Sequence, residues 1–293
     1  MINKWLYRYS IVVVMGTFLL VLAGGLVTSH DAGLAVPDWP TSYGQWFPPM
    51  VGNIFWEHGH RMIAGSVGIL TLILTLWIHF KEKRKGLRIL GWITLGSVVA
   101  QAVLGGLTVL FLLPDAVSIA HACLAQTFFC MVIAIFYFLS PFQNRFGFLE
   151  NERLSSLSSI RRLMILTFVF IYCQLLLGAI VRHSGQAIAF HILLAFILLL
   201  HGILLVVRVL SDDSLKKLLT PVSMVFGIFL VLQIFLGIGS WIVTRSLESG
   251  YAPSQLEVFF TATHQTVGAI ILGSCFFMLL KVEHGLRIKS AAS

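Results

Sequence analysis

Long apolar runs alternate with short polar breaks along the whole chain, and the runs set the prediction. Eight can be marked, approximately Ser10–Thr28, Phe55–Phe80, Leu87–Leu113, Ala116–Ser140, Leu163–Val181, Ala187–Val207, Val222–Val243 and Val258–Leu280. Each is about 20 residues, enough for a helix to cross a hydrocarbon core of about 30 Å. The pattern therefore predicts an all-α polytopic membrane protein with eight transmembrane helices. Lys4 and Arg8 before the first run also suit a secretion signal, but the run is long for one and no small-x-small site follows it cleanly. It reads as a retained helix.

Composition agrees. Of 293 residues, 58% are hydrophobic and 11% charged, against about 25% charged in an ordinary soluble domain. The net charge of +8 is no nucleic-acid footprint, because the basic residues sort by side of the membrane. Of the 20 lysines and arginines, all but Arg61, Arg182 and Arg245 fall at the N-terminus, between runs 2 and 3, 4 and 5, 6 and 7, or after run 8. The positive-inside rule then puts both termini in the cytoplasm. Cys123, Cys130, Cys173 and Cys275 all lie within apolar runs and read as small packing residues.

The polar interruptions carry the candidate chemistry. Run 2 opens with Phe55-Trp56-Glu57-His58-Gly59-His60-Arg61. Ionisable groups at membrane depth are expensive and by default functional. Glu57, His60 and Arg61 share one helical face by their i, i+3 and i, i+4 spacing. The segment before this, Ser29–Ile54, holds Asp38-Trp39-Pro40, Trp46 and Pro48-Pro49, and predicts a folded cap at the interface, where aromatic rings settle.

An internal repeat then appears. Gln-x-x-Leu-Gly recurs at Gln101–Gly105, Gln174–Gly178 and Gln233–Gly237, and run 1 has the related Leu22-Ala23-Gly24-Gly25. Each even-numbered run carries a histidine near its outer end: His60, His121, His191 and His264. The polar, basic stretch 141–162 divides the pattern, giving an N-terminal four-helix half (1–140), a cytoplasmic linker (141–162) and a C-terminal four-helix half (163–293). Four crossings restore the starting side, so the halves have parallel topology.

A single histidine in an apolar helix is more often packed than ligating. Four at one depth, two per half, supply two His–His pairs, and bundles build cofactor sites from such facing side chains. Zinc or copper would need further ligands at that depth. Haem needs two axial ligands and an apolar slot, which glycine-rich helices 1, 3, 5 and 7 would provide. Arg61 and Arg182 are the outer cations suited to haem propionates, against the plainer reading of snorkelling to headgroups. Glu57 is asymmetric: three residues before His191 stands Ile188, and three before His264 stands Thr261. A carboxylate in an apolar slot can move protons, while the plainer reading is a salt bridge to Arg61. The asymmetry places a reactive haem in the first half.

At these residues the chain resembles the haem A synthase family of membrane proteins. The resemblance rests on Gly-Gly-Leu-Val-Thr ending helix 1, Asp38-Trp39-Pro40, Glu57-x-x-His60-Arg61, Gln101-x-x-Leu104-Gly105-Gly106, His121, Gly178 through His183, and His264-Gln265. It implies a membrane oxidoreductase of cytochrome oxidase assembly. Such an enzyme converts the C8 methyl of haem O to the formyl group of haem A by two hydroxylations and loss of water, at the outer side of the plasma membrane. It implies that His60 and His121 bind the substrate haem, that Glu57 assists, and that His191 and His264 hold a haem B. Haem O synthase is a partner it suggests. A non-catalytic bis-histidine cytochrome b, or a haem-handling assembly factor, is the alternative, and parallel repeats also suit a carrier. The chain departs from the family in three places. The first outer loop lacks a cysteine pair, the loop between helices 5 and 6 is short, and Ile192 follows His191 where an arginine is usual.

Overall fold

The computed structural model describes residues 3–141, 151–245 and 252–290, with side chains from 157 in the fifth helix and up to 287 in the eighth. It is all-helical, with eight helices among the described residues: α1 Lys4–Ser29, α2 Gly52–Lys81, α3 Lys85–Leu110, α4 Asp115–Leu139, α5 Asn151–Ser184, α6 Ile188–Ser211, α7 Asp213–Arg245 and α8 Gln255–Ser290. All eight are long and apolar enough to cross a membrane. The chain is a multi-pass membrane protein.

The helices outrun the apolar segments because their basic residues can lie along the helix and reach water, and α1 and α7 start at side-chain caps. The Asn3 side chain accepts from the amides of Trp5 and Leu6 and starts α1 six residues before the apolar run. α5 begins at Asn151, so 151–162 of the expected linker is helical; 142–150 lies outside the described residues. Asp212 ends α6 and accepts from the amides of Ser214 and Leu215, so one residue turns the chain and caps α7. Between α2 and α3, Glu82 accepts from the Lys83 and Arg84 amides and the Arg84 guanidinium. Arg84 in turn donates to the Phe138 carbonyl near the end of α4.

α1 packs on α2, α2 on α3, α3 on α4 and α4 back on α1; α5 to α8 close a second ring in the same way. The rings meet through α1 and α4 against α8 and through α4 against α5. Each ring has its own apolar core: Leu6, Val13, Val67, Leu74, Ile78 and Val132 in the first, Ile160, Met164, Leu205, Val209, Phe226 and Leu272 in the second. Val21, Phe129, Ile133 and Ala269 fill the seam. Outward faces stay apolar as well: Phe190 and Leu200 on α6 are 67% and 69% exposed. In water such a surface would drive aggregation, whereas hydrocarbon solvates it without penalty.

Candidate functional site: four histidines seated on glycines

The four repeated histidines occupy one arrangement four times over. On the facing odd-numbered helix a glycine lies directly beneath each ring. A methyl group built on Gly24 would stand 3.2 Å from Cε1 of His60, and one on Gly105 3.2 Å from Cε1 of His121. The corresponding distances are 3.2 Å for Gly178 under His191 and 2.9 Å for Gly237 under His264. These glycines give α1, α3, α5 and α7 the closeness that lets a flat imidazole lie against backbone. Any side chain would push the ring away. His191, set apart by its short preceding loop and by Ile192, is placed like the other three.

The glutamines of the repeat complete the arrangement. Nε2 of Gln101 donates to the backbone carbonyl of His121 (2.8 Å), Gln174 to that of His191 (2.9 Å) and Gln233 to that of His264 (3.0 Å). In the second ring the same amides also lie near the imidazole Nε2 atoms, at 3.2 Å for His191 and 3.5 Å for His264. Nδ1 of all four histidines is buried without a protein partner, and so is Oε1 of all three glutamines. One orphaned buried polar atom costs about 1–3 kcal/mol. The same set of orphans recurring through the repeat marks a place built to be completed by a bound group.

The donor chemistry fits haem. Among the described residues no cluster of three or more His, Cys, Asp or Glu forms, so the donor sets are imidazole pairs. The His191 and His264 ring centres are 6.2 Å apart at 68°. A metal–imidazole bond of about 2.0–2.1 Å on each side, plus roughly 1.1 Å from nitrogen to ring centre, puts two axial imidazoles about 6.3 Å apart.

The Glu57–Arg61 stretch divides its labour in a way the sequence did not show. Only His60 turns to Gly24. Glu57, 3% exposed, accepts from Arg61 on Oε1 and from the Val36 amide on Oε2 at 2.8 Å. Nδ1 of His58 meets Oγ of Ser42 at 2.8 Å. Arg61 Nη1 donates to the carbonyls of Asp38 (2.7 Å) and Thr41 (2.8 Å). Three of the four polar side chains thus grip the loop 30–51. That loop has its own frame. The Asp38 carboxylate accepts from Thr41 Oγ1 and from the amides of Tyr43 and Gly44. The Thr41 hydroxyl foremost, with the Gly44 and Tyr43 amides, holds its pKa down to about 2. Trp39 lies flat on α3, where a methyl on Gly106 would come within 2.7 Å of the indole. The double glycine of α3 thereby seats His121 with Gly105 and Trp39 with Gly106.

The remaining polar groups tie the rings together or hold helix ends. Arg182 donates to the Thr28 carbonyl and lies 3.7 Å from Asp31. Thr261 donates to Ser29 at 2.8 Å, and Gln265, next to His264, packs on Gly25. Gly24 and Gly25 therefore touch the His60 ring on one side and the α8 histidine turn on the other. His30 and His183, expected in outer loops, end α1 and sit in the last turn of α5. His30 stacks on Trp56 at 3.9 Å. His284 meets the buried Tyr137 hydroxyl at 2.9 Å. The cysteines are free thiols; Cys130 and Cys275 are buried and Cys173 is exposed.

The family described as COX15-CtaA, cytochrome oxidase assembly protein, matches residues 51–191, from the start of α2 to His191 in α6. That match covers slightly less than half of the chain. Similar proteins include a heme A synthase of Lysinibacillus sphaericus, 25% identical over 193 residues, covering 64% of this chain and 61% of its own length. A heme A synthase of Exiguobacterium is 26% identical over 267 residues (82% of this chain, 84% of the relative), and one of Alkalihalophilus pseudofirmus is 24% identical over 280 residues (85% and 91%). The chain thus spans less than two thirds of the first relative and most of the other two. The matched family region contains Glu57, Arg61 and three of the histidines seated on glycine, and stops short of His264.

Proposed function

We propose that the protein is a haem A synthase that oxidises the C8 methyl group of haem O to the formyl group of haem A. The relatives so named point to this reaction. The single observation that carries the reading to this chain is the recurring histidine seated on glycine, two in each ring, with an unpartnered nitrogen on every one. His60 and His121 would hold the substrate haem, and His191 and His264 a resident haem B, which supplies one-electron redox chemistry when bound. The protein's own part is to fix the rings, exclude water with the apolar helices and set charge at the outer rim. Arg182 is the outer cation suited to a haem carboxylate. Arg61, its donors committed to Glu57 and the loop, would act on that ligand through the loop it anchors. Glu57, one turn before His60, is the acid–base group of this site. Proton transfer there requires its carboxylate to exchange the Arg61 or Val36 contact for substrate or water.

The basic residues support cytoplasmic termini in a plasma membrane, with the histidines toward the outer side. Haem O synthase is the natural source of the substrate. The experiment is extraction and chromatography of haems from protein purified out of cells that make haem O. Haem B together with haem O or A is expected, and protein without a Soret band would refute the reading. A second reading, a non-catalytic haem assembly factor, is favoured by the full engagement of both Glu57 oxygens. Glu57→Gln separates the two: the synthase reading requires bound haem to remain while haem A formation is lost.

A further inference from the structure

The repeat is complete in three helices and broken in one. Four residues before the seating glycine stand Gln101, Gln174 and Gln233 in α3, α5 and α7, but Leu20 in α1. Leu20 has no donor, so no amide from α1 ties the His60 carbonyl. The outer end of α2 is held from the other side, by the loop contacts of Glu57, His58 and Arg61 with Val36, Ser42, Asp38 and Thr41. We propose that Gln101, Gln174 and Gln233 are positioning residues fixing three of the four histidines, and that His60, set by the loop, is the ligand that yields when haem enters or leaves.

The proposal deepens the haem reading and rests on it. It gives physical content to a difference the two sites need. A resident group calls for two fixed ligands, and His191 and His264 both have the glutamine tie. A substrate that arrives and a product that leaves call for one ligand that can step back, and the His60–His121 pair has one tied and one untied. The ties are 2.8–3.0 Å long and part-buried. The Gln174 and Gln233 amides are shared between carbonyl and ring, so they hold the height of the helix turn and the swing of the imidazole together. Opening the loop would release α2 at this turn while leaving the glutamine ties of α3, α5 and α7 in place.

The test uses carbon monoxide on dithionite-reduced, purified holoprotein, because the gas occupies ferrous haem only where an axial imidazole has detached. Apparent binding then scales with the detached fraction. Losing one buried hydrogen bond should raise that fraction about fivefold to tenfold. Gln174→Leu and Gln233→Leu should each create a carbon monoxide-reactive fraction that wild type lacks in the second ring. Arg61→Ala, which frees the loop, should raise the fraction in the first ring about fivefold, and Leu20→Gln, which supplies the missing amide, should lower it by a similar factor. Because Leu20→Gln adds an amide and removes no hydrogen bond, it keeps the test open if a glutamine variant does not fold. The proposal is overturned if Leu20→Gln and Arg61→Ala both leave the reactive fraction at its wild-type value with haem content unchanged. Wild-type protein that purifies with no haem at all would instead refute the underlying reading of the histidines.

Discussion

Replacing Gly237 by alanine tests the seating of the histidines most directly. The added methyl would stand 2.9 Å from Cε1 and 3.5 Å from Nδ1 of His264. Carbon atoms pack best at about 3.5–4.0 Å, so the ring must retreat by roughly 0.6–1 Å or α7 and α8 must part. Overpacking of this size costs about 1–3 kcal/mol. If the cost falls on the ligand-bound state, where the ring cannot move freely, haem affinity drops by about 5- to 150-fold. The control is Gly96→Ala in α3, where a methyl meets nothing within 4 Å. There the exchange should be neutral or stabilising by up to about 1 kcal/mol, since glycine is the poorer helix former. The assay is haem per polypeptide from the Soret band and pyridine haemochrome, with thermal unfolding measured in the same detergent. Gly237→Ala should lose haem while Gly96→Ala keeps it. If Gly237→Ala retains full haem at wild-type thermal stability, the glycine is not a seat for the ring and the fit of the site to haem loses its main support.

Gly106→Ala should dislodge Trp39, which it would approach to 2.7 Å, and raise proteolytic cleavage of the loop 30–51 while leaving His191–His264 spectra unchanged. Arg182→Ala removes donors to Thr28 and the partner of Asp31. A loss of about 1 kcal/mol is expected for this part-buried group, read as a lower melting temperature that Arg182→Lys restores in part. Asp38 has a folded pKa near 2 against an ordinary 3.8. A depressed carboxylate contributes stability above its unfolded pKa and loses it as pH falls toward the folded value. Hydrogen exchange at the Tyr43 and Gly44 amides should therefore be flat from pH 7 to 5 once intrinsic rates are removed, and protection should fall below about pH 4. Asp38→Asn should abolish that pH dependence.

Much of this was legible in the sequence because a membrane writes its constraints plainly. Hydrocarbon fixes helix length and leaves few polar residues, so the polar residues that remain stand out. The eight helices, the Gln-x-x-Leu-Gly repeat and the four histidines could all be read that way. What could not be read was which residue each glycine faces. Gly105 and Gly106 are adjacent letters, yet they point to opposite neighbours about 100° apart around the helix, one to His121 and one to Trp39. The direction of the glutamine side chains was equally hidden. Their spacing suggested a pattern, but only the three-dimensional pairing shows that they bind the histidine carbonyls and not a ligand.

The stretch Glu57–Arg61 shows how far helical spacing carries an argument. Spacing of i+4 put Glu57 and Arg61 together, and the salt bridge formed, whereas His60 turns to Gly24 and His58 joins the other two on the loop. Spacing did not reveal that the loop would fold back over that surface and take up the second carboxylate oxygen, through the Val36 amide, and Nη1 of the guanidinium. Two asymmetries then become one. The first ring has a carboxylate beside its histidine and lacks a glutamine opposite it; the other three histidines have the glutamine and no such carboxylate. A helix turn tied by an amide needs no loop, and a turn without the amide is held by Glu57, His58 and Arg61. The acidic residue is therefore explained structurally before any chemistry is assigned to it. A catalytic role, if Glu57→Gln establishes one, belongs to the moment when the loop contact is given up. A proton carrier that is also a latch couples the opening of the site to the freeing of its carboxylate, so that the group becomes available only when His60 does.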